Sequence, residues 1–205
     1  MSGKKYLFII IILFLNNNVQ SKEFNNKVMV LIDNTIITEL DIKKEVSLNA
    51  FLQKKEELNN LLYLKKEAIE NLIDRKIKNI EIDFYKIDIN EKEVDNSLYL
   101  YLKDKKISID DLEKFLKNNE LEDDYLRNVV KTDLRWGKLI RQMYENRINV
   151  NLTEVIKQLD HEKNNTTDKE NAKNQLINIE QNKILNKFSI THLEKSKKKY
   201  LIKFL

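Results

Sequence analysis

Residues 123–150, DDYLRNVVKTDLRWGKLIRQMYENRINV, form the stretch that decides the fold. Asp123 and Asp124 at its start and Arg141 and Arg147 near its end match the dipole of one long helix. A helix with one apolar stripe is unstable alone in water, so the stretch predicts that other elements pack on it. The residues leave open whether the whole stripe is core or part of it lines a groove for a peptide. The stripe follows from apolar residues at three- and four-residue spacing, namely Leu126, Val129, Val130, Leu134, Ile140, Met143 and Tyr144.

The composition predicts a mostly helical protein. The chain has 205 residues, no proline and two glycines, so it contains few residues that interrupt helices. This length suits one domain with a core, or one domain with an arm. Lysine and arginine number 37 and aspartate and glutamate 33, giving a net charge of +4. That balance argues against nucleic acid as a partner.

Residues 1–21 have the pattern of an export signal. Lys4 and Lys5 precede the apolar run YLFIIIILFL, and Val19 and Ser21 stand at the positions that favour cleavage before Lys22. An uncleaved membrane anchor is the rival interpretation. Ten apolar residues make only about 15 Å of helix, which is too short for a bilayer core. We therefore expect a cleaved, periplasmic protein with no stable membrane insertion, whose net charge falls to +2 when the two lysines leave.

Three helix starts can be read directly from residue pairs. Thr38, Asn90 and Ser108 are each followed three residues later by an acidic residue, the pattern of a capping box. A helix is expected after each of these caps, and a long helix over about residues 57–85. The differing helix lengths and the absence of a lasting heptad predict an orthogonal helical bundle rather than a coiled coil.

Short β runs stand at both ends of the mature chain. VMVLI at 28–32 precedes a turn and Ile36-Ile37, and YLIKFL at 200–205 ends the chain. Neither run can form a stable sheet alone, so we expect the two ends to meet. Both runs are apolar on both faces, which predicts that the sheet is covered, with the helix over 123–150 as the cover. The fold class is therefore mostly α, with a small β element formed by the N- and C-terminal strands.

Residues 152–205 complete the expected organisation. A short helix is predicted over 152–159, and a last helix over 171–195. Residues 161–170 contain no apolar side chain apart from the methyl groups of threonine and predict a linker.

The residue types required for catalysis are largely missing. His161 and His192 are the only histidines and lie far apart, which predicts no metal site. The chain has no cysteine, no glycine-rich phosphate loop and no serine in a glycine-flanked turn. The sequence thus predicts no catalytic residue and no cofactor.

Several stretches in order resemble a known family. They are VMVLIDNTIITELDI, AIENLIDRKIKNIEIDFYKIDINEKEVDNSL, ISIDDLEKFLKNN and YLRNVVKTDLRWGKLIRQMYENRINVNLTEV, over about 27–155. This order resembles the N-terminal chaperone domain of SurA-type periplasmic chaperones and peptidyl-prolyl isomerases. The final FSITHLEKSKKKYLIKFL resembles the helix and strand that return to that domain in the family.

The resemblance implies a domain plan: signal 1–21, helical chaperone domain 22–160, linker 161–170, and C-terminal helix and strand 171–205. The family's parvulin isomerase domain is missing, because the chain after Val155 is too short for one and lacks its paired histidines and glycines. This departure argues against isomerase activity. Client binding, which in the family resides largely in the chaperone domain, is unaffected by it.

The resemblance implies an ATP-independent holdase whose partners are unfolded outer-membrane β-barrel proteins. Adaptable apolar and aromatic side chains in a groove between helices could shield such clients. The candidates for its lining are Phe51, Tyr99, Tyr101, Trp136, Met143 and Tyr144, each of which can instead belong to the core. Two alternatives remain open: a SurA-type peptidyl-prolyl isomerase, and a non-catalytic helical adaptor with one dedicated partner.

Overall fold

The computed structural model describes residues 26–54, 61–161 and 169–205. In these residues, seven α-helices pack together beside a three-stranded antiparallel sheet. The strands are β1 Val28–Ile32, β2 Thr35–Thr38 and β3 Ile202–Phe204. The helices are α1 Glu39–Leu52, α2 Leu61–Phe84, α3 Glu91–Lys105, α4 Ile109–Asn118, α5 Tyr125–Tyr144, α6 Leu152–His161 and α7 Lys169–Lys197.

The sheet joins the two ends of the described chain, as the sequence predicts. Its strand order is β2-β1-β3, and Val30 of β1 lies opposite Phe204 of β3. Asp33, in the β1–β2 turn, adopts a left-handed φ of 45°. Its carboxylate accepts a hydrogen bond of 2.8 Å from the N–H of Leu201, and its own N–H donates to the Leu201 carbonyl at 3.1 Å. Asp33 therefore links the β1–β2 turn to the residue that precedes β3.

The prediction that the terminal strand is covered on both faces is wrong. Leu201, Phe204 and Leu205 are exposed, whereas Tyr200 and Ile202 are half-buried against the core. β3 is an edge strand, and the helices that pack on β2, at the opposite edge of the sheet, are α1 and α2. The helix over 123–150 contributes instead to the core behind the sheet.

The predicted helix starts at Thr38 and Ser108 are confirmed in detail. The Thr38 and Ser108 hydroxyls accept from the N–H groups of Asp41 and Asp111, at 3.2 and 3.1 Å. Asp41 closes the box by accepting from the Thr38 N–H at 2.8 Å. Asn90 also caps its helix, but its side chain accepts from the N–H of Lys92, two residues on. An asparagine side chain reaches that nearer N–H readily.

The helix predicted over residues 123–150 is shorter in the structure. α5 covers Tyr125–Tyr144 and is followed by a 3₁₀ turn, Glu145–Arg147, and not by further α-helix to residue 150. At the start, Asp124 makes no side-chain cap hydrogen bond. At the end, the β-branched Ile148 adopts an extended conformation, with φ −76° and ψ 117°, that stops the helix.

Two apolar cores meet along α5. The sheet-side core contains Val30, Ile32, Ile37, Ile42, Ala68, Leu72, Ile73, Ile77, Ile82, Ile87, Trp136, Leu139, Ile140, Leu185 and Leu193. The α3–α4 core contains Leu48, Leu102, Ile107, Leu112, Leu116, Leu121 and Leu126. Leu126, near the start of α5, belongs to the second core, and Trp136, Leu139 and Ile140, further along, belong to the first. The helix thus organises the fold by serving both cores.

The last helix packs back on the rest of the protein. α7 lies against α2, α5 and α6. His161 ends α6, and Lys169 and Glu170 begin α7, so both ends of the predicted linker 161–170 are helical. Residues 162–168 of that linker lie outside the described residues, as do the predicted signal 1–21 and its cleavage site between Ser21 and Lys22.

Candidate functional site

A surface groove in the described part of the chain lies between α1 and α4. Its volume is about 780 Å³, within the range of ligand sites. The floor is aromatic, because the rings of Phe51 and Phe115 stack with their centroids 4.1 Å apart and 8° between their planes. Val46, Ala50 and Ile107 add apolar surface. Both phenylalanines are half-buried against the α3–α4 core, so that core holds the floor in place.

The rim of this groove is mainly basic. Lys54, Lys106 and Lys114 line it together with Asp111. Lys54 and Lys106 follow α1 and α3 directly or within two residues, and both adopt left-handed φ values, 51° and 55°, that end helices. The Lys54 ammonium donates to the carbonyl of Lys106 at 3.4 Å, which links the two helix ends across the opening.

The carboxylate of Asp111, in the rim, already has a hydrogen-bond partner. Its carboxylate accepts a 2.6 Å hydrogen bond from the Ser108 hydroxyl, and this bond, with the nearby charges of Lys114 and Lys54, holds the pKa of Asp111 below its usual value. Asp111 therefore stays charged at neutral pH and forms part of the α4 cap. The groove as a whole keeps an excess of positive charge.

Two of the six predicted lining residues, Phe51 and Tyr101, pack against the α3–α4 core, and a third, Tyr99, lies on the surface of α3. Phe51 lines the groove, and it is the only one of the six that does. Tyr101 is half-buried against the same core and faces a different, polar cleft beside Glu45 and Arg75. Tyr99 is 58% exposed on the surface of α3.

The other three lie where α5 meets α7. Trp136 is only 3% exposed, and its indole N–H donates to the Ser189 hydroxyl at 2.8 Å. Tyr144 stacks on Phe188 with centroids 4.7 Å apart, and Met143 is half-buried against the sheet-side core. Trp136 and Tyr144 contact side chains of α7, and Trp136 also lines a separate groove of about 470 Å³ between α5 and α7. None of the three lies with Phe51 in the groove between α1 and α4.

Residues outside the predicted set complete the groove. Phe115 could have been found from the sequence, because it shares a helical face with Leu112 and Leu116. The three lysines carried no such signal among the many lysines of the chain. Only the packing of α4 against the end of α1 brings them to one opening.

Two buried polar clusters lie outside the groove. In the first, Arg75 donates two hydrogen bonds to Glu45, at 2.9 and 2.7 Å, and the Tyr125 hydroxyl donates a third at 3.0 Å. This cluster joins α1, α2 and the first residue of α5.

In the second cluster, Lys199 donates to both oxygens of Glu81, at 2.8 and 3.0 Å, and the Tyr200 hydroxyl donates at 2.8 Å. Nε2 of His192 lies 3.6 Å from the same carboxylate, and its Nδ1 lies 2.9 Å from the Tyr144 hydroxyl. Burial would raise the pKa of Glu81, but the hydrogen bonds from Lys199 and Tyr200 outweigh it and lower that pKa. The cluster fastens the C-terminal segment to α2.

Within the described residues, no group of three or more histidine, aspartate or glutamate side chains is placed to hold a metal ion. Across the same ranges, no helix combines the length and apolar character needed to cross a membrane.

Comparison with known proteins identifies no family. No model of a protein family matches the sequence, and no curated protein matches it either.

Proposed function

We propose that this protein is an ATP-independent periplasmic holdase that binds unfolded outer-membrane β-barrel proteins in the groove between α1 and α4. Barrel strands alternate apolar and polar residues and carry aromatic girdles, so their unfolded chains expose aromatic side chains in water. A groove of about 780 Å³ with an aromatic floor offers such side chains a place away from solvent.

The observation that carries the proposal is the stacked pair Phe51–Phe115 at the floor of an open groove. A pair of rings accepts another aromatic or aliphatic side chain without demanding one sequence. The flexible lysine side chains at the rim can adjust to different clients. Binding by contact with apolar surface requires no nucleotide, and release follows when the client folds and hides its apolar residues.

The resemblance to SurA-type chaperones supports the compartment and the client class. It rests on the order of motifs over about 27–155 and on the C-terminal helix and strand. In the structure α7 packs back on α2 and α5, and β3 pairs with β1, an arrangement of the kind the resemblance implies. The proposal includes the absence of isomerase activity, because the chain lacks a parvulin-like insert.

The test measures light scattering of a porin diluted from urea, with a severalfold excess of the purified protein and without ATP. We expect scattering to fall. Ala50→Trp, which fills the groove with an uncharged ring, should abolish most of this protection. Ala172→Trp on α7 is the matched control and should protect as well as the wild type. Circular dichroism of both variants establishes that they are folded.

Undiminished scattering with the wild-type protein would refute the holdase proposal. Equal protection by Ala50→Trp would place client binding outside the groove. A proline-limited refolding reaction, followed in parallel, should show no acceleration; clear catalysis there would favour the isomerase alternative.

A further inference from the structure

The rim of the groove is charged and its floor is aromatic, so the two parts suit different groups of a bound molecule. Lys54, Lys106 and Lys114 surround the aromatic floor, and Asp111 is the one acidic side chain among the described residues that line it. Asp111 is engaged by Ser108 and caps α4. Within the described residues, neither Lys106 nor Lys114 forms an ion pair, so their charges remain available to a bound molecule.

These charges lie within reach of a ligand seated on the rings. The same groove holds both phenylalanines and all three lysines, and the Lys54 ammonium is positioned at the Lys106 carbonyl, 3.4 Å away. A side chain that packs on Phe51 and Phe115 therefore brings its sequence neighbours to the basic rim. Acidic neighbours gain an attractive charge pair there, and basic neighbours meet like charge.

We infer that the groove selects client segments in which an aspartate or glutamate stands next to an aromatic residue. The occupant is an internal stretch of an unfolded outer-membrane protein with that pattern, and the charge complementarity of the rim identifies it. This inference rests on the proposed holdase function and adds a preference to it. Exposed lysine–carboxylate pairs each contribute modestly, so two of them give a preference of about 3- to 10-fold in Kd.

The experiment uses fluorescently labelled peptides blocked at both ends, which removes any terminal carboxylate. One peptide has phenylalanines flanked by glutamates; in two others glutamine or lysine replaces glutamate; in a fourth alanine replaces phenylalanine. Fluorescence anisotropy with the purified protein should rank the glutamate peptide first, the glutamine peptide second and the lysine peptide last. The alanine peptide should bind weakly. Added salt should reduce the differences in affinity among the glutamate, glutamine and lysine peptides, because it screens exposed charges.

The double variant Lys106→Gln/Lys114→Gln should lose most of the preference for the glutamate peptide over the glutamine peptide. The matched control Lys92→Gln/Lys187→Gln removes the same charge from exposed positions on α3 and α7 and should keep the preference. An unaffected preference in the first variant, or its loss in the second, would overturn the assignment to the rim.

Failure of this inference is distinguishable from failure of the holdase proposal. Equal wild-type affinities for the glutamate and glutamine peptides would overturn the preference while leaving a holdase that recognises aromatic residues alone. If none of the phenylalanine peptides binds and the porin still aggregates, both are refuted.

Discussion

Glu45 and Glu81 are two carboxylates in similar surroundings, buried to 1% and 2% exposure, and each accepts three hydrogen bonds from described residues. A tyrosine hydroxyl supplies one bond in each cluster. The clusters differ in their cation. Both oxygens of Glu45 accept from two nitrogens of the planar Arg75 guanidinium, whereas both oxygens of Glu81 accept from the single ammonium of Lys199.

The two cations also differ in how far their side chains are exposed to solvent. The Arg75 side chain is 20% exposed, and the Lys199 side chain is 51% exposed. Burial alone would lower the pKa of Arg75, but the hydrogen bonds and charge of Glu45 raise it. Arg75 is mostly buried and loses its main hydrogen-bond partner if Glu45 is removed, whereas the more exposed Lys199 ammonium can be solvated by water. The first cluster therefore joins three helices through mostly buried groups. The second cluster, Glu81 with Lys199, Tyr200 and His192, joins the C-terminal segment to α2 through a more exposed cation, and we call it the clasp.

The largest expected effect is that of Glu45→Ala. This change leaves the Arg75 charge buried without its partner, which costs about 3–5 kcal/mol and lowers the melting temperature by about 10 °C. The matched change Glu81→Ala should cost less, about 1–3 kcal/mol, because Lys199 regains water. Urea unfolding followed by circular dichroism measures both. Equal losses, or a larger loss for Glu81→Ala, would contradict the distinction between the two clusters.

Deletion of residues 200–205 should have an intermediate effect. It removes Tyr200 and Ile202, whose two half-buried side chains together contribute about as much as one fully buried side chain, about 1.5–3 kcal/mol. The expected fall in melting temperature is several degrees. The control is Leu201→Ser/Leu205→Ser, which changes two exposed side chains and keeps the strand. An unchanged melt after the deletion would show that the clasp does not stabilise the domain.

The distance in sequence between two contacting residues explains in part which contacts could be predicted. The caps at Thr38 and Ser108 use partners three residues away, and the apolar periodicity of α5 is a local repeat, so both could be read directly. The meeting of the end strands followed from their shared apolar character. Neither buried cluster was predictable, because Glu45 and Arg75 resemble many other charged residues of helices until α1 and α2 are packed.

Of the two stacked rings in the groove, only Phe51 was among the predicted lining residues. Phe51 was a candidate from its residue type, but its stacking on Phe115 depends on how α4 meets α1. Trp136 and Tyr144 were candidates for the same reason, yet α7 covers them. A helical face shows that a side chain is apolar, and only the partner elements decide whether that side chain becomes core or open surface.

The smallest effect concerns pH and the histidine of the clasp. His192 is surrounded by Glu81 from α2, Tyr144 from α5, Lys195 on its own helix and Lys199 beyond that helix. Burial lowers the pKa of His192 and outweighs the attraction of Glu81. Well above pH 6.5 neither the folded nor the unfolded state carries a proton on this ring. As the pH falls below 6.5, the unfolded chain binds a proton that the folded protein refuses, so stability decreases.

The window of this effect is separate from that of Glu81, whose lowered pKa makes stability fall only below about pH 4.5. We therefore expect the free energy of unfolding to decrease between pH 7.5 and 5.5, and His192→Gln to flatten this slope even if it lowers stability at every pH. His161→Gln removes the other histidine and should leave the slope in place. Urea titrations at several pH values give the slopes directly. If the slope persists in His192→Gln and disappears in His161→Gln, the pH response belongs to a group other than His192. The two buried carboxylate clusters would then differ in their cation alone.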